Sequence, residues 1–134
     1  MQRTSRQNSS PNFSNERSDQ SNDGISIREE YCFLKKKGIY HKIHIEDILY
    51  IKSEGDYTFI HTAEEKFINT SRLGELELLF AAHEFYRTHR SYIINLKNVT
   101  AINTEENSII VGSESIPISR AKKGAFLNRF RLIN

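Results

Sequence analysis

From Tyr31 onward the apolar residues fall in short runs, rich in isoleucine and aromatic side chains, and each run ends at glycine, charge or small polar residues. Runs this short suit strands better than helices of ordinary length, and β-branched and aromatic side chains pack well on a pleated surface. Tyr31–Lys35 is the first run, broken at Lys37-Gly38. Ile39–Ile45 follows, and the two-residue strand period puts Ile39, Ile43 and Ile45 on one face. Asp47–Ser53 carries Ile48, Leu49, Tyr50 and Ile51 in succession, the texture of a strand buried on both faces. Glu54-Gly55-Asp56 reads as a turn, with Tyr57–Thr62 returning as its hairpin partner and Lys66–Thr70 as a further short strand.

The period then changes. Leu73, Leu76, Leu79 and Phe80 share one helical face, Thr70 or Ser71 is placed to cap it, and Glu75 and Glu77 sit where a helix dipole favours negative charge. Gly74 weakens this helix, so a short one is expected. Strands resume after Glu84 at Tyr92–Asn95, Val99–Asn103, Ser108–Val111 and Ser115–Ile118. Ser119 is the expected cap of a final short helix that buries Ala125, Phe126 and Phe130. Hairpin-length connections predict a mainly β fold of antiparallel sheets, with one short internal helix and a C-terminal helical turn. The regular strand–helix alternation of a doubly wound fold is missing.

With 134 residues, the chain has room for one domain with a core. Residues 1–28 read as a disordered tail or linker, since up to about Gly24 the chain is polar with Phe13 as the one large apolar side chain. Residues 29–134 make the folded domain. No apolar run approaches the ~20 residues that span a bilayer, the N-terminus lacks an apolar signal centre, and the lone Cys32 has no partner for an internal disulfide. These features lead to the expectation of a cytoplasmic protein that does not sit in a membrane.

The net charge of +2 conceals an uneven distribution. Between His41 and Tyr86, acidic residues outnumber basic ones; from Arg87 to the end, Arg87, Arg90, Lys97, Arg120, Lys122, Lys123, Arg129 and Arg131 face only Glu105, Glu106 and Glu114. A basic final third fits a polyanion met at one surface, or equally a solvated face of uneven charge.

Three strand ends carry the chemistry. Arg87-Thr88-His89-Arg90-Ser91 precedes the apolar Tyr92-Ile93-Ile94. Alternation puts Arg87, His89 and Ser91 on one side and Arg90 on the other, unless a turn intervenes. Arginine suits bidentate bonding to guanine or phosphate, while hydroxyls and histidine fix register on a phosphate backbone. The second is Ile116-Pro117-Ile118-Ser119-Arg120-Ala121-Lys122-Lys123, a strand end passing into a cationic helical turn whose first amides can receive phosphate. The third is the hairpin at Ser53–Tyr57, whose tip bears Glu54 and Asp56. Carboxylates repel phosphate, so this tip either reads a base edge such as cytosine N4 or contacts nothing.

These strings resemble the LytTR family of bacterial transcription regulators. Ile48-Leu49-Tyr50-Ile51 with Gly55-Asp56-Tyr57 is similar to the family's opening signature, and Thr70–Glu77 to its internal helix. The stretch from Phe85 to Asn95 is similar to its most distinctive segment, and Ile116-Pro117-Ile118-Ser119-Arg120 to its closing one. The likeness extends over roughly residues 31–132.

The resemblance implies an elongated fold whose loops enter successive major grooves of promoter DNA. It implies base reading by Arg90, Arg120 and Asp56, and phosphate contacts from His89, Ser91, Tyr57, Ser119 and Lys122 or Lys123. The implied partner is double-stranded promoter DNA, with repeated sites expected and a homodimer on DNA left open. Many family members add a phosphate-accepting receiver domain, for which this chain has no room.

Other readings are weaker. Ser119-Arg120-Ala121-Lys122 matches a Ser-x-x-Lys pattern without its companion motifs, so neither an enzyme nor a cofactor is expected. His41 and His44 on a strand point to opposite faces and cannot share a metal ion. The alternative from another class is a non-enzymatic β module that binds an acidic protein partner.

Overall fold

A computed structural model describes residues 27, 28 and 30–133. Its strands are β1 (Ile27–Arg28), β2 (Tyr31–Lys36), β3 (Ile39–His44), β4 (Ile48–Glu54), β5 (Tyr57–Thr62), β6 (Lys66–Asn69), β7 (Phe85–His89), β8 (Tyr92–Asn95), β9 (Val99–Asn103), β10 (Ser108–Val111) and β11 (Glu114–Pro117). Helix α1 (Leu73–Leu79) lies between β6 and β7, and α2 (Arg120–Leu127) follows β11. Among the described residues all pairings are antiparallel and build three sheets: β1-β2-β3, β9-β10-β11, and a five-stranded sheet in the order β6-β5-β4-β8-β7. The mainly β fold with small antiparallel sheets is as the sequence indicates. The first 26 positions of the expected tail lie outside the described residues; its last two pair with β2 as β1.

The five-stranded sheet has a hydrophobic core on each face. Ile51 and Ile93 point into one core with Cys32, Leu34, Leu73, Leu76 and Phe80. Their neighbours Tyr50 and Ile94 point into the other with Ile109, Val111, Ile116 and Phe126. Each fully buried isoleucine or phenylalanine contributes about 1.5–3 kcal/mol relative to exposure. A bulge between Ile48 and Tyr50 lets β4 serve both cores: the extra residue shifts the phase, so Ile48 joins Ile51 while Leu49 joins Tyr50.

Several local expectations change. Ile45 is buried but belongs to a 3-10 turn (Ile45–Asp47) instead of β3, and Ile39 stays exposed at the hairpin tip. The cap of α1 is Arg72, one or two residues beyond the expected Ser71 or Thr70. Asn69 Oδ1 accepts the Ser71 N–H at 2.7 Å and the Thr58 hydroxyl donates to the carbonyls of Asn69 and Ser71, which holds Ser71 buried ahead of the helix. The Glu75 carboxylate then accepts the Arg72 N–H at 2.8 Å. Phe85–His89 is a full strand, and the C-terminal turn is an eight-residue α-helix. On that helix Phe126 is buried but Ala125 is exposed, and Phe130, just beyond its end, is partly buried.

Buried Asn95 closes the end of the sheet near the start of β4. Its Nδ2 donates to the carbonyls of Ile48 (2.9 Å) and Ile45 (3.3 Å), and its Oδ1 accepts the Lys97 N–H at 3.1 Å. No described helix is long and apolar enough to cross a membrane.

Candidate nucleic-acid interface

Strand directions bring the sequence-predicted segments to one end of the five-stranded sheet. β4 leaves its core at Glu54 and turns through Gly55-Asp56 into β5, with Glu54 paired to Tyr57. Gly55 has φ 63°, a conformation glycine adopts without strain at the head of a two-residue hairpin turn. β8 runs antiparallel to β4, so its start at Tyr92 lies opposite Lys52, at the same end. The connection from β7 to β8 is the two-residue turn Arg90-Ser91, with His89 opposite Tyr92. Of the two readings left open by the sequence, a turn intervening is the one observed, and the Ser53 N–H donates to the Ser91 carbonyl at 2.8 Å to fasten it to β4.

The Arg90-Ser91 turn is also held from within. Arg87 Nη2 donates to the Arg90 carbonyl at 2.6 Å, and Arg87 Nε contacts the His89 carbonyl at 3.4 Å. Arg87 Nη1 reaches the Glu77 carboxylate on α1 at 3.2 Å. The guanidinium fork thus spans the turn's two carbonyls and a helix. His89 Nδ1 accepts the Ser91 N–H at 3.1 Å. In the neutral imidazole this places the proton on Nε2, which is then a donor suited to a phosphate oxygen.

The start of α2 joins the same region through the backbone. The Ser119 N–H donates to the Thr88 carbonyl at 2.9 Å, where β7 bulges between Arg87 and His89. Ser119 stands at the N-cap, although its hydroxyl makes no cap bond. Glu77, Arg87, His89, Arg90, Ser119 and Lys122 line one shallow groove.

The structure thus gathers Arg90, His89, Ser119 and Lys122, with Ser91 beside them in the turn. Arg120 is exposed at the first position of α2. Lys123 turns elsewhere, donating to the Thr104 carbonyl at 2.5 Å. Asp56 and Tyr57 are exposed on the neighbouring hairpin tip and do not line the groove. Sequence reasoning missed the clamp by Arg87 and Glu77 and the bond between Thr88 and Ser119. The three-residue step from Arg87 to Arg90 is a usable signal for the first; no local pattern signals the second.

His41 and His44 lie on opposite faces of β3, paired with Leu34 and Tyr31 respectively. Among the described residues no group of three or more His, Cys, Asp or Glu side chains is placed to hold a metal ion.

The family model of the LytTr DNA-binding domain matches residues 38–131. The chain belongs to this family. Relatives of this LytTR domain include the heme-containing CO-sensing transcriptional regulator RcoM 2 of Paraburkholderia xenovorans, 29% identical over 85 residues that cover 60% of this chain and 32% of that protein. The sensory transduction protein LytT of Bacillus anthracis is 30% identical over 82 residues, covering 58% of this chain and 33% of LytT. The chain spans about a third of the length of these relatives. A solved LytTr DNA-binding domain from Bacillus cereus has the same fold, with a TM-score of 0.66 at 22% identity over 75% of this chain and 96% of that one.

Proposed function

We propose that this LytTR domain binds duplex DNA sequence-specifically as a transcription regulator, reading bases with turns at one end of its central sheet. The observation that carries this reading is the groove uniting Arg87, His89, Arg90, Ser119 and Lys122. It presents cations, a histidine N–H and the first amides of α2 on a rigidly bonded support. Arg90 and Arg120, both exposed, are assigned to base edges, where a guanidinium recognises guanine O6 and N7. His89, Ser91, Ser119 and Lys122 are assigned to phosphates, which set register without reading sequence.

Asp56 and Tyr57 approach DNA from the adjacent hairpin, with Asp56 accepting from a base amino group and Tyr57 touching the backbone. Lys123 is a lesser phosphate contact, since it must first leave the Thr104 carbonyl. Two copies on repeated sites extend the footprint, and the domain acts without catalysis.

Salt dependence tests this reading. The logarithm of affinity for duplex DNA should fall linearly with the logarithm of salt concentration, by about 0.9 for each phosphate neutralised. A flat response would contradict DNA binding through these cations.

A further inference from the structure

The outward face of the β1-β2-β3 sheet has a composition that DNA reading does not use. Register places Tyr31 beside His44, Phe33 beside Lys42 and Lys35 beside Tyr40 on that face, while Cys32, Leu34 and Ile43 point inward. Phe33 is 38% exposed and Tyr40 50%, and Lys35, Lys42 and His44 are also exposed. The cations rest on rings rather than on carboxylates: Lys42 Nζ lies 4.2 Å from the Tyr31 ring centroid and Lys35 Nζ 5.6 Å from that of Tyr40. Neither lysine forms an ion pair among the described residues, whereas the neighbouring Lys36 is bound to Glu65 at 2.7 Å.

The sheet lies away from the DNA-facing turns. The Ile45 N–H donates to the Glu30 carbonyl just before β4 begins, and Lys36 meets Glu65 in the turn after β5. Both contacts are at the opposite ends of strands whose other ends carry Gly55-Asp56. Aromatic side chains are enriched at protein interfaces, and cations that meet no carboxylate among the described residues select a partner of opposite charge.

From this charge pattern we infer that the outward face of the β1-β2-β3 sheet docks an acidic segment of another protein, in which carboxylates alternate with apolar side chains, while the DNA-facing turns stay open. The carboxylates meet Lys35, Lys42 and His44, and the apolar side chains cover Phe33 and Tyr40.

The test uses the full chain and a fluorescein-labelled synthetic peptide of alternating glutamate and leucine, read by anisotropy and by backbone amide NMR shifts. Saturable binding is expected, with shifts confined to residues 31–44, weakened roughly ten-fold or more by Lys35→Glu with Lys42→Glu. Affinity for a duplex oligonucleotide, measured in parallel, should stay unchanged in that variant, so failure here is separable from failure of DNA binding. The inference is overturned if no saturable binding occurs, or if shifts move to His89–Ser91 and Ser119–Lys122. It is also overturned if duplex DNA displaces the peptide from residues 31–44, which would make the face a nucleic-acid surface.

Discussion

The Arg87 guanidinium donates to the main-chain carbonyl of Arg90 at 2.6 Å and, through its other terminal nitrogen, reaches Glu77 on α1 at 3.2 Å. Arg87 therefore shapes the turn on which Arg90 is displayed. Arg87→Ala should weaken DNA binding by about 1–2 kcal/mol, roughly ten-fold, by loosening the turn rather than by removing a base contact. Arg87→Lys should not restore it, because an ammonium cannot span both turn carbonyls and Glu77. Equilibrium binding by fluorescence anisotropy decides the point, and wild-type affinity in either variant would sink the clamp.

Arg90→Ala and Arg120→Ala should each cost about 1–3 kcal/mol and relax preference at one base position. Lys122→Ala should instead weaken all duplexes alike and reduce the salt slope by about one. Titrations of the three variants against matched and mismatched duplexes separate these outcomes. A uniform loss in Arg90→Ala would move Arg90 to the phosphate group.

Stability should depend on both cores, with neighbouring residues of one strand supporting different ones. Ile93→Ala opens the core beneath α1 and Ile94→Ala the core beneath α2, each at about 2–5 kcal/mol. Because Phe126 anchors α2, Phe126→Ala should cost about 3–5 kcal/mol and also loosen Ser119 and Lys122. Urea unfolding measures the cost, and hydrogen exchange shows whether α2 opens first.

His61 gives a pH dependence. It stacks on Tyr50 at 4.2 Å, and burial, reinforced by Lys66, lowers its pKa below the ordinary 6.5. The unfolded chain then takes up the proton more readily than the folded one. Stability from this group is present above pH 6.5 and is lost as pH falls from there through the lower folded-state value. Urea midpoints for wild type and His61→Phe should keep a constant offset above that pH and differ in slope below it. Parallel curves throughout would remove His61 as the cause.

Burial pushes the Cys32 thiol up to about 12, so the reactive thiolate is scarce in the folded protein at neutral pH. Alkylation by iodoacetamide should proceed only through opening of the fold. Rapid labelling under native conditions would contradict the burial of β2.

Period and composition made most of the strands legible, because a residue such as Ile60 or Phe67 must face a core whichever strands lie beside it. Capping was less legible. Asn69 captures the Ser71 N–H, a competition among local polar groups that displaces the helix start to Arg72. The β4 bulge escaped notice because four consecutive apolar residues carry no phase.

At the site, Arg90, His89, Ser119 and Lys122 stood out by residue type, and the family resemblance joined them. Their proximity rests on the Ser119 N–H and Thr88 carbonyl bond, which links positions far apart in sequence and leaves no local trace. Lys123 shows the converse: its charge suggested phosphate, and its bond to Thr104 is visible only in three dimensions.

The most direct measurement of the central claim is selection from a random duplex library by the wild-type chain and by Arg90→Ala, each at two salt concentrations. Base reading from the Arg90-Ser91 turn predicts a short enriched motif for the wild type at both salts, recurring as a repeat, with one position relaxed in Arg90→Ala. Salt-sensitive binding without an enriched motif, or an identical motif in the variant, would contradict it.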